Sequence, residues 1–271
     1  MELSIIITSY KQPEMLKLLL DSIKKHLTLP RDEYEIIVSD SMTEENTEMI
    51  IREDYPEVIF VGSLENIGFG GTVKNGYEKS RGEYILIMNG DVIVKKGAIE
   101  ALLDHIKNHP SVGIVGPKLL SFNESVQPSC FRFYTLATII YRRTFLGKLK
   151  FGKAQVDRFM MKDFDHRSMR EVDWVQGSAM MTRRTSVEKV GLMDPRFKMY
   201  FEDVDWCRRF WEAGLKVVYF PAAEMYHYHG RGSAGRGVIK TLLSKKLAWI
   251  HIASAVKYFW KYFGKSMPKH S

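Results

Sequence analysis

Three acidic residues lie close together after an aromatic pair in the second half of the chain. Glu202 and Asp203 follow Tyr200-Phe201, and Asp205 lies two residues further on. The macrodipole of a helix favours acidic side chains at its start, but three acids in four residues exceed what helix capping needs. A carboxylate in this segment can serve as a general base that removes the proton of a hydroxyl group as its oxygen attacks a carbon centre.

Two further acids follow apolar runs that are typical of buried strands. Asp40 follows Tyr34–Ser39, and Asp91 follows Tyr84–Met88 and the pair Asn89-Gly90. Ligands of open α/β sheets bind beyond the carboxyl ends of the strands. Asp40 can accept a hydrogen bond from the imide N–H of a pyrimidine base or from a ribose hydroxyl, and Asp91 can hold Mg²⁺ or Mn²⁺ against a diphosphate. The alternative for Asp40 is a turn residue that caps the following helix, and the alternative for Asp91 is a common Asn-Gly-Asp turn.

Two histidines and two arginines stand together near residue 230. His227 and His229 are separated by one residue, so on a strand both would face the same side. A neutral imidazole is a suitable metal ligand, and Arg231 and Arg236 in the adjacent Gly-rich loop can hold phosphate oxygens. A solvated polar loop is the alternative interpretation of this segment.

Alternating strand and helix patterns in the first half of the chain position these residues. The apolar runs predict strands at 3–10, 34–39, 58–61, 84–88 and 112–115. The spacing of apolar residues predicts helices at 13–24, 43–53, 72–80 and 98–108. A Gly-rich turn, Asn66–Gly71, precedes the third helix and lacks the spacing of the dinucleotide fingerprint. Repeated βα units predict a mainly parallel sheet covered by helices on both faces.

The second half of the chain has a less regular pattern. Residues 122–171 are rich in aromatic residues, Arg and Met and show no clean period, which predicts a long excursion with some helix. Order returns at 172–183 and 200–213, and a short strand is predicted at 216–219. Residues 238–263 predict one or two helices.

Composition and charge exclude several classes of protein. The 271 residues are 45% hydrophobic and 27% charged, which fits one large domain or a domain with an appendage. Nine of the 40 Lys and Arg residues lie from Arg231 onwards, where no Asp or Glu occurs, so the preceding part is nearly neutral. This distribution argues against a nucleic-acid-binding surface and favours a local anionic partner of the tail. Two cysteines without metal-motif spacing and no visible leader favour a reducing, cytoplasmic setting.

The basic tail is too interrupted to predict a membrane-spanning helix. Its longest uncharged run, Leu247–Val256, has ten residues, whereas a spanning helix needs about 17–25. A basic helix with Trp and Phe is suited to lie in an anionic membrane interface. The alternative is a helix that packs on the preceding domain with its lysines in water.

Taken in order, the motifs of the chain resemble those of one enzyme family. They are Ser4–Tyr10, Asp40, Asn66–Gly71, Asn89-Gly90-Asp91, Trp174–Ser178, Phe201–Trp206 and His229. This order and spacing, over residues 3–235, resemble the family 2 glycosyltransferases of the GT-A fold, especially their rhamnosyltransferase-like branch. The resemblance implies a fold of the α/β class, with a Rossmann-like, mainly parallel sheet flanked by helices over residues 1–236. A basic amphipathic helical tail would then occupy residues 237–271.

The resemblance also implies a reaction and its setting. The expected reaction is an inverting transfer of a sugar from a nucleotide diphosphate, first dTDP-rhamnose and otherwise a UDP-sugar, with Mg²⁺ or Mn²⁺ as cofactor. The expected acceptor is a glycan or a polyprenyl-linked glycan in cell-surface polysaccharide synthesis. The expected place is the cytoplasm, peripherally at the anionic inner face of the cell membrane. A homodimer is compatible with these expectations, and Phe131–Leu149 fits an acceptor wall, a membrane-touching flap or a dimer contact.

The family's catalytic and metal-binding roles map onto five positions of this sequence. Asp203 is expected to be the base, with Glu202 as its orienting partner. Asp91 and His229 are expected to bind the metal, with His227 as the reserve ligand.

The resemblance assigns further residues to substrate binding. Trp174 and Gly177 are expected at the donor or acceptor sugar. The expected nucleotide-binding residues are Thr8, Tyr10, Asp40, Asn66, Gly68, Asn89 and Arg231.

One motif departs from the family pattern, because Asn89 replaces the first acid of the D-x-D metal motif. This departure leaves open a catalytically inactive partner subunit that binds a nucleotide sugar with the same fold. The retained Asp91, Glu202-Asp203 pair and His229 favour the enzyme. A nucleotidyltransferase would need a Gly-rich phosphate loop directly after the first strand, and Thr8–Pro13 contains no Gly.

Overall fold

A mostly parallel β-sheet forms the centre of the molecule. The computed structural model describes residues 1–228 and 238–268, and for Arg143 and residues 238–248 it describes the backbone alone. The strands are β1 (Leu3–Ser9), β2 (Tyr34–Ser41), β3 (Ile59–Ser63), β4 (Tyr84–Asn89), β5 (Val92–Val94), β6 (Val112–Leu120), β7 (Cys130–Phe131), β8 (Arg170–Glu171), β9 (Trp174–Val175), β10 (Ala179–Arg183) and β11 (Lys216–His227). The helices are α1 (Pro13–His26), α2 (Glu45–Asp54), α3 (Gly68–Lys79), α4 (Ala98–Asn108), α5 (Leu136–Arg143), α6 (Lys150–Phe159), α7 (Arg184–Val190), α8 (Glu202–Glu212) and α9 (Val238–Lys261), with a 3₁₀ turn at Phe145–Lys148.

The strand order of the main sheet is β3-β2-β1-β4-β10-β6-β11-β5, and β8 pairs with β11 beside this path. Strand β1 is parallel to β2 and β4, β2 is parallel to β3, and β6 is parallel to β11. Strand β10 is antiparallel to β4 and β6, and β5 and β8 are antiparallel to β11. The predicted fold class, an α/β fold with a mainly parallel sheet flanked by helices, is confirmed.

Apolar cores cover both faces of this sheet, because alternate residues of a strand point to opposite faces. Ile5 of β1 belongs to the core that contains Leu19 of α1 and Leu102 of α4. Its neighbour Ile6 belongs to the other core, with Val73 of α3 and the apolar side chains of α8 and α9. Strand β1 is buried along its whole length, as expected at the centre of a sheet covered on both sides.

Several elements differ in extent from the sequence prediction. Helix α3 begins at Gly68, so the prediction of a turn is wrong for residues 68–71, which form the first helical turn. Strand β11 continues to His227 although Pro221 interrupts its apolar pattern. A register shift between Phe220 and Glu224 accommodates this proline in the strand. Strand β5 was not predicted, because three residues are too few to show a period.

The tail forms α9, which packs against α8. Its buried side chains recur every three or four residues, so one face of the helix points into the protein. They are His251, Ser254, Ala255, Tyr258 and, in the following turn, Tyr262. Among the helices that the structure describes, none is long and apolar enough to cross a membrane.

Candidate active site

A cavity of about 910 Å³ opens beside the carboxyl end of β4. Its lining includes residues of β4, of the segment between β9 and β10, of the first turn of α8 and of the end of β11, together with residues of β9, α9 and the excursion. The cavity therefore brings together residues that are far apart in sequence. Those among the predicted site residues are Asn89, Trp174, Gly177, Glu202, Asp203 and His227.

The acid pair Glu202-Asp203 begins α8 after two residues in an unusual backbone conformation. Tyr200 and Phe201 have φ angles of +67° and +69°, which bulky side chains rarely adopt. Such strain persists where the surrounding packing imposes it, often at functional sites. Here the buried ring of Phe201 packs 4.7 Å from the ring of Tyr134. This packing fixes the direction in which the acid pair enters the cavity.

Two backbone N–H groups hold the carboxylate of Asp203. Gly177 N donates to Oδ2 at 3.1 Å, and Val204 N donates to Oδ1 at 2.9 Å. A Cβ atom at position 177 would lie 3.1 Å from the ring of Phe69 and 3.6 Å from Cβ of Asp203. The glycine thus keeps the space next to the carboxylate open, which agrees with its expected place near a sugar.

Burial raises the pKa of both members of the acid pair above the usual range of carboxyl groups. The negative charge of Asp203 raises the pKa of Glu202 further, whereas the two backbone donors favour ionised Asp203. Glu202 Oε2 is buried and accepts no hydrogen bond from the described residues. Asp203 is therefore the member that ionises first, and Glu202 is the member that keeps its proton longer.

On the other side of the cavity, His227 of the lining faces Asp91, which is not itself one of the lining residues. Nε2 of His227 lies 3.5 Å from Oδ1 of Asp91 and 3.3 Å from the hydroxyl of Ser178. Tyr228 N also donates to the main-chain oxygen of Asp91 at 2.8 Å, so the end of β11 is tied to the Asn89-Gly90-Asp91 turn. The structure therefore places the reserve ligand His227 beside Asp91. His229 and Arg231 lie outside the described residues.

The side chain of Gln127 sets the tautomer of the neutral His227 ring. Its Nε2 donates to the carbonyl oxygen of His227 at 2.8 Å and to the hydroxyl of Ser121 at 3.1 Å. Its Oε1 lies 3.0 Å from His227 Nδ1. Because an amide oxygen only accepts, Nδ1 must carry the proton, and the lone pair of the neutral ring is on Nε2, toward Asp91. Gln127 lies in the aperiodic excursion, and no sequence signal singled it out.

The donors at this end of the cavity fit a divalent cation. Within the described ranges, no group of three or more His, Cys, Asp or Glu side chains could hold a metal ion. Hard cations at phosphate-binding sites, however, need only one or two carboxylates besides phosphate and water oxygens. Oδ1 of Asp91 is buried and accepts no hydrogen bond from the described residues, and burial raises the pKa of Asp91 to about 6. A cation bound there would have this oxygen and Nε2 of His227 as its protein ligands.

A second set of unsatisfied atoms lies at the ends of β1 and β2. Ser9 and Asp40 are neighbours in the parallel register of these strands. The hydroxyl of Ser9 and both carboxylate oxygens of Asp40 are buried and have no hydrogen-bond partner among the described residues. Buried polar atoms normally have partners, so a ligand with N–H or O–H groups is a physical reason for this arrangement.

The other predicted nucleotide-binding residues lie outside the cavity lining. The hydroxyl of Thr8 donates to Oδ1 of Asn89 at 3.1 Å and so orients that side chain. Asn66 accepts a hydrogen bond from Gly68 N at 3.0 Å, which stabilises the start of α3. Gly68 has φ +69°, and a Cβ there would lie 2.4 Å from the carbonyl oxygen of Lys198. Tyr10 is half exposed.

Aromatic side chains form one wall of the cavity. Trp174 stacks on Phe131 with 4.4 Å between ring centroids, and its Nε1 donates to the carbonyl oxygen of Arg132 at 2.9 Å. Tyr134 from the excursion and His251 from α9 complete this wall. Tyr134 belongs to Phe131–Leu149, for which an acceptor wall was one of three interpretations, whereas no sequence pattern pointed to His251 beyond the aromatic richness of its segment.

Proteins of similar sequence include two bacterial rhamnosyltransferases. The chain is 28% identical over 238 residues to an N-acetylglucosaminyl-diphospho-decaprenol L-rhamnosyltransferase of Mycobacterium tuberculosis, over 83% of this chain and 76% of that protein. It is 27% identical over 265 residues to the rhamnosyltransferase WbbL of Escherichia coli, over 94% of this chain and 91% of that protein.

Solved glycosyltransferase structures share the fold at low sequence identity. The mannosyltransferase PcManGT from Pyrobaculum calidifontis, in complex with GDP-Man and Mn²⁺, superposes with a TM-score of 0.58 and 16% identity, over 98% of this chain and 76% of that chain. GalNAc-T7 with UDP, GalNAc and Mn²⁺ gives a TM-score of 0.62 and 15% identity, over 83% of this chain and 43% of that longer chain. These similarities show a common GT-A fold.

The family model described as glycosyltransferase like family 2 matches residues 2–251. The match spans the sheet, the cavity and the first half of α9. The chain therefore belongs to the family 2 glycosyltransferases and is a glycosyltransferase of the GT-A fold, as the motif resemblance predicted.

Proposed function

We propose that the chain is an inverting, metal-dependent glycosyltransferase that transfers rhamnose from dTDP-rhamnose to a lipid-linked glycan. A UDP-sugar is the alternative donor. One observation carries the proposal: the consecutive residues Gly177 and Ser178 contact Asp203 on one side of the cavity and His227 on the other. Gly177 N holds the carboxylate of Asp203, and the hydroxyl of Ser178 lies beside His227 Nε2. The proposed base Asp203 is thus adjacent to Asp91 and His227, the residues proposed to bind the metal and the diphosphate. A single displacement requires this arrangement.

In this reaction Asp203 acts as the general base. Its carboxylate takes the proton of an acceptor hydroxyl as that oxygen forms a bond to the anomeric carbon of the donor. The bond from the anomeric carbon to the diphosphate oxygen breaks at the same time, and its electron pair leaves with the nucleoside diphosphate. Because the oxygen attacks opposite the leaving group, the configuration at this carbon inverts. Glu202, the adjacent buried acid, is the proposed orienting partner of Asp203.

Asp91 and His227 would hold Mg²⁺ or Mn²⁺ together with the donor diphosphate. When bound, such a cation neutralises the negative charge that develops on the leaving diphosphate.

Asn89, oriented by Thr8, supplies an amide in place of the acid that usually begins this motif. The unsatisfied oxygens of Asp40 support recognition of the base or ribose of the nucleotide. His229 and Arg231 remain candidates for the metal and the phosphates.

The donor and acceptor are proposed from the relatives and from the cavity wall. Both relatives described above are named rhamnosyltransferases, and the mycobacterial one carries a diphospho-decaprenol acceptor in its name. The aromatic wall around Trp174 and Tyr134 suits the apolar faces of a sugar ring. Arg142, which also lines the cavity, lies over the ring of Phe159 and supplies a positive charge for an acceptor phosphate. We place the reaction at the cytoplasmic face of the cell membrane.

A panel of nucleotide sugars with Mg²⁺ or Mn²⁺ and a lipid-diphosphate-linked acceptor tests this proposal. Mass spectrometry of the products identifies the sugar that is transferred, and nuclear magnetic resonance of the new linkage gives its anomeric configuration. We expect transfer from dTDP-rhamnose or one UDP-sugar with inversion, and loss of transfer in Asp203→Asn. The matched control is Asp163→Asn, an exposed acid outside the cavity. Binding of a nucleotide sugar without any transfer would instead support the inactive partner subunit.

A further inference from the structure

Helix α9 has one face that is fixed to the catalytic domain. Arg208 of α8 is buried, lies 3.6 Å from the ring centroid of Tyr262 and donates to the carbonyl oxygen of Ser266 at 3.1 Å. Lys261 contacts Asp205 of α8 at 2.5 Å, and Tyr262 donates to the same carboxylate at 2.9 Å. These buried contacts set the rotation of α9 about its own axis, so the opposite face must point to solvent.

That opposite face is apolar. Trp249, Ile252, Val256 and Trp260 follow each other at intervals of three or four residues, which places them on one side of the helix. Phe263, in the turn after the helix, lies three residues after Trp260 and so extends this spacing. We call these five residues the apolar stripe. The exposed fractions are 70% for Trp249, 83% for Trp260 and 88% for Phe263.

Large aromatic side chains are costly to expose to water, and a continuous apolar stripe generally marks an interaction surface. The charge around it indicates the partner. From Arg231 to the end, the chain has nine Lys and Arg residues and no Asp or Glu. Trp and Phe on one face of a helix in a basic segment are the combination found in helices that lie in the plane of anionic membranes.

We infer that the apolar stripe of α9 inserts into the interfacial region of a bilayer that contains anionic phospholipids. This docking deepens the proposed function and rests on it for the identity of the acceptor. His251, on the fixed face of the same helix, lines the cavity. A bilayer bound to one side of α9 is therefore separated from the aromatic wall of the cavity by the thickness of a single helix. An acceptor anchored in that bilayer would reach the cavity without leaving the membrane.

Partition into vesicles tests the stripe directly. The full chain, with Trp260→Ala and Phe263→Ala combined, is compared with wild type on vesicles of phosphatidylcholine and phosphatidylglycerol. Since both side chains are exposed, the variant should keep the wild-type melting temperature. We expect its partition coefficient to fall about tenfold or more, from the lost burial of two aromatic rings. Leu64→Ala is the matched control, because Leu64 is 87% exposed after β3 and lies outside the stripe.

Two results would overturn the inference. One is equal vesicle binding by wild type and the double variant. The other is a wild-type dimer in sedimentation velocity that the double variant loses, without vesicle binding by either protein, since a second copy would then be the occupant. Weaker wild-type binding to pure phosphatidylcholine or at high salt would support the anionic partner.

An activity comparison separates this inference from the proposed function. The double variant should transfer sugar normally to a short-chain soluble acceptor, but at least about tenfold more slowly to a long-chain acceptor in vesicles. If wild type transfers no sugar at all, the proposed function fails, whereas the partition experiment still decides the membrane contact.

Discussion

The carboxamide of Gln127 holds His227 at two points, its main-chain oxygen and its ring nitrogen Nδ1. The distances are 2.8 Å and 3.0 Å. A histidine that binds a metal through one ring nitrogen commonly donates the other N–H to a neighbouring acceptor, which sets the orientation of the ring. Gln127 is therefore a positioning residue for the proposed ligand pair of His227 and Asp91.

Replacing Gln127 by Ala should weaken metal binding, because the His227 ring can then rotate and exchange its tautomer. We expect about 10- to 100-fold weaker Mn²⁺ affinity, measured by titration calorimetry with a nucleoside diphosphate present. Gln127→Glu keeps an acceptor for Nδ1–H and should retain most of the affinity. Equal Mn²⁺ affinity of wild type and a folded Gln127→Ala protein would contradict the positioning role.

The pH dependence of transfer should follow Asp203. Burial raises the pKa of this carboxyl above its usual value, so the ionised base is lost at a higher pH than for an exposed aspartate. We expect kcat/KM to increase with pH through the weakly acidic range, and Asp203→Asn to lower kcat by about 10²- to 10⁴-fold. Steady-state rates from about pH 5 to about pH 8 check both points. An unchanged kcat in Asp203→Asn would remove this residue from the mechanism.

Glu202 should make the folded state less stable as the pH rises. Burial, and then the charge of Asp203, raise the pKa of Glu202 above its usual value. Its stabilising contribution is thus complete below the unfolded-state pKa and is lost as the pH rises through the folded-state pKa. Relative to wild type, Glu202→Gln should gain more free energy of unfolding at about pH 8 than at about pH 5. We expect the gain at the two pH values to differ by more than about 1 kcal/mol, because one unit of pKa shift is equivalent to about 1.4 kcal/mol. Denaturant unfolding at both pH values tests this, and a pH-independent difference would contradict it.

Asp205 should be a stability residue, although it lies only two positions from the proposed base. Its buried carboxylate contacts Arg209 at 2.9 Å, in addition to Lys261 and Tyr262. Asp205→Ala leaves Arg209 without its carboxylate partner and Lys261 with Asp194 alone, and we expect the free energy of unfolding to fall by about 3–5 kcal/mol. The exposed control Asp163→Ala should change it by less than about 0.5 kcal/mol. Urea unfolding distinguishes the two, and similar losses would mean that the buried network does not stabilise α9.

Gly177→Ala should impair transfer more than folding. The new methyl group would lie 3.1 Å from the Phe69 ring, which can move slightly, and would narrow the space beside Asp203. We expect about tenfold slower transfer and a change in the free energy of unfolding within about 1 kcal/mol. Gly70→Ala is the control, since its methyl group would meet Met193 at an ordinary 3.5 Å and should favour α3. Equal activity of both variants would show that the space at 177 is not needed.

The sheet could be predicted from the sequence because its signals are local. The strands β1, β2 and β4 are the continuous apolar runs expected of strands buried on both faces, and Asp40 and Asp91 were found because they come at the ends of such runs. The sheet topology then brings the strand ends to one edge, so the general location of the site followed from the pattern.

The remaining parts of the site depend on tertiary contacts that have no period. Gln127 and Tyr134 reach the cavity from an excursion whose path is set by packing on the finished domain. Asp205 was grouped with Glu202 and Asp203 by spacing. Residues two positions apart on a helix point in different directions, however, and the structure uses Asp205 between α8 and α9. The number and spacing of acidic residues in a sequence cannot distinguish an acid that faces the cavity from one that joins two helices.

The contacts between α8 and α9 have a consequence for any shortened version of the protein. A chain that ends at residue 236, the boundary expected from the sequence, would keep Asp91, Asp203 and His227. It would lack Tyr258, Lys261 and Tyr262, which contact Arg208 and Asp205. The side chains of Arg208 and Asp205 would then be left at an apolar surface. Such a fragment would contain the proposed base and the proposed metal ligands on a destabilised support. Its inactivity would therefore say nothing about whether the tail takes part in the chemistry.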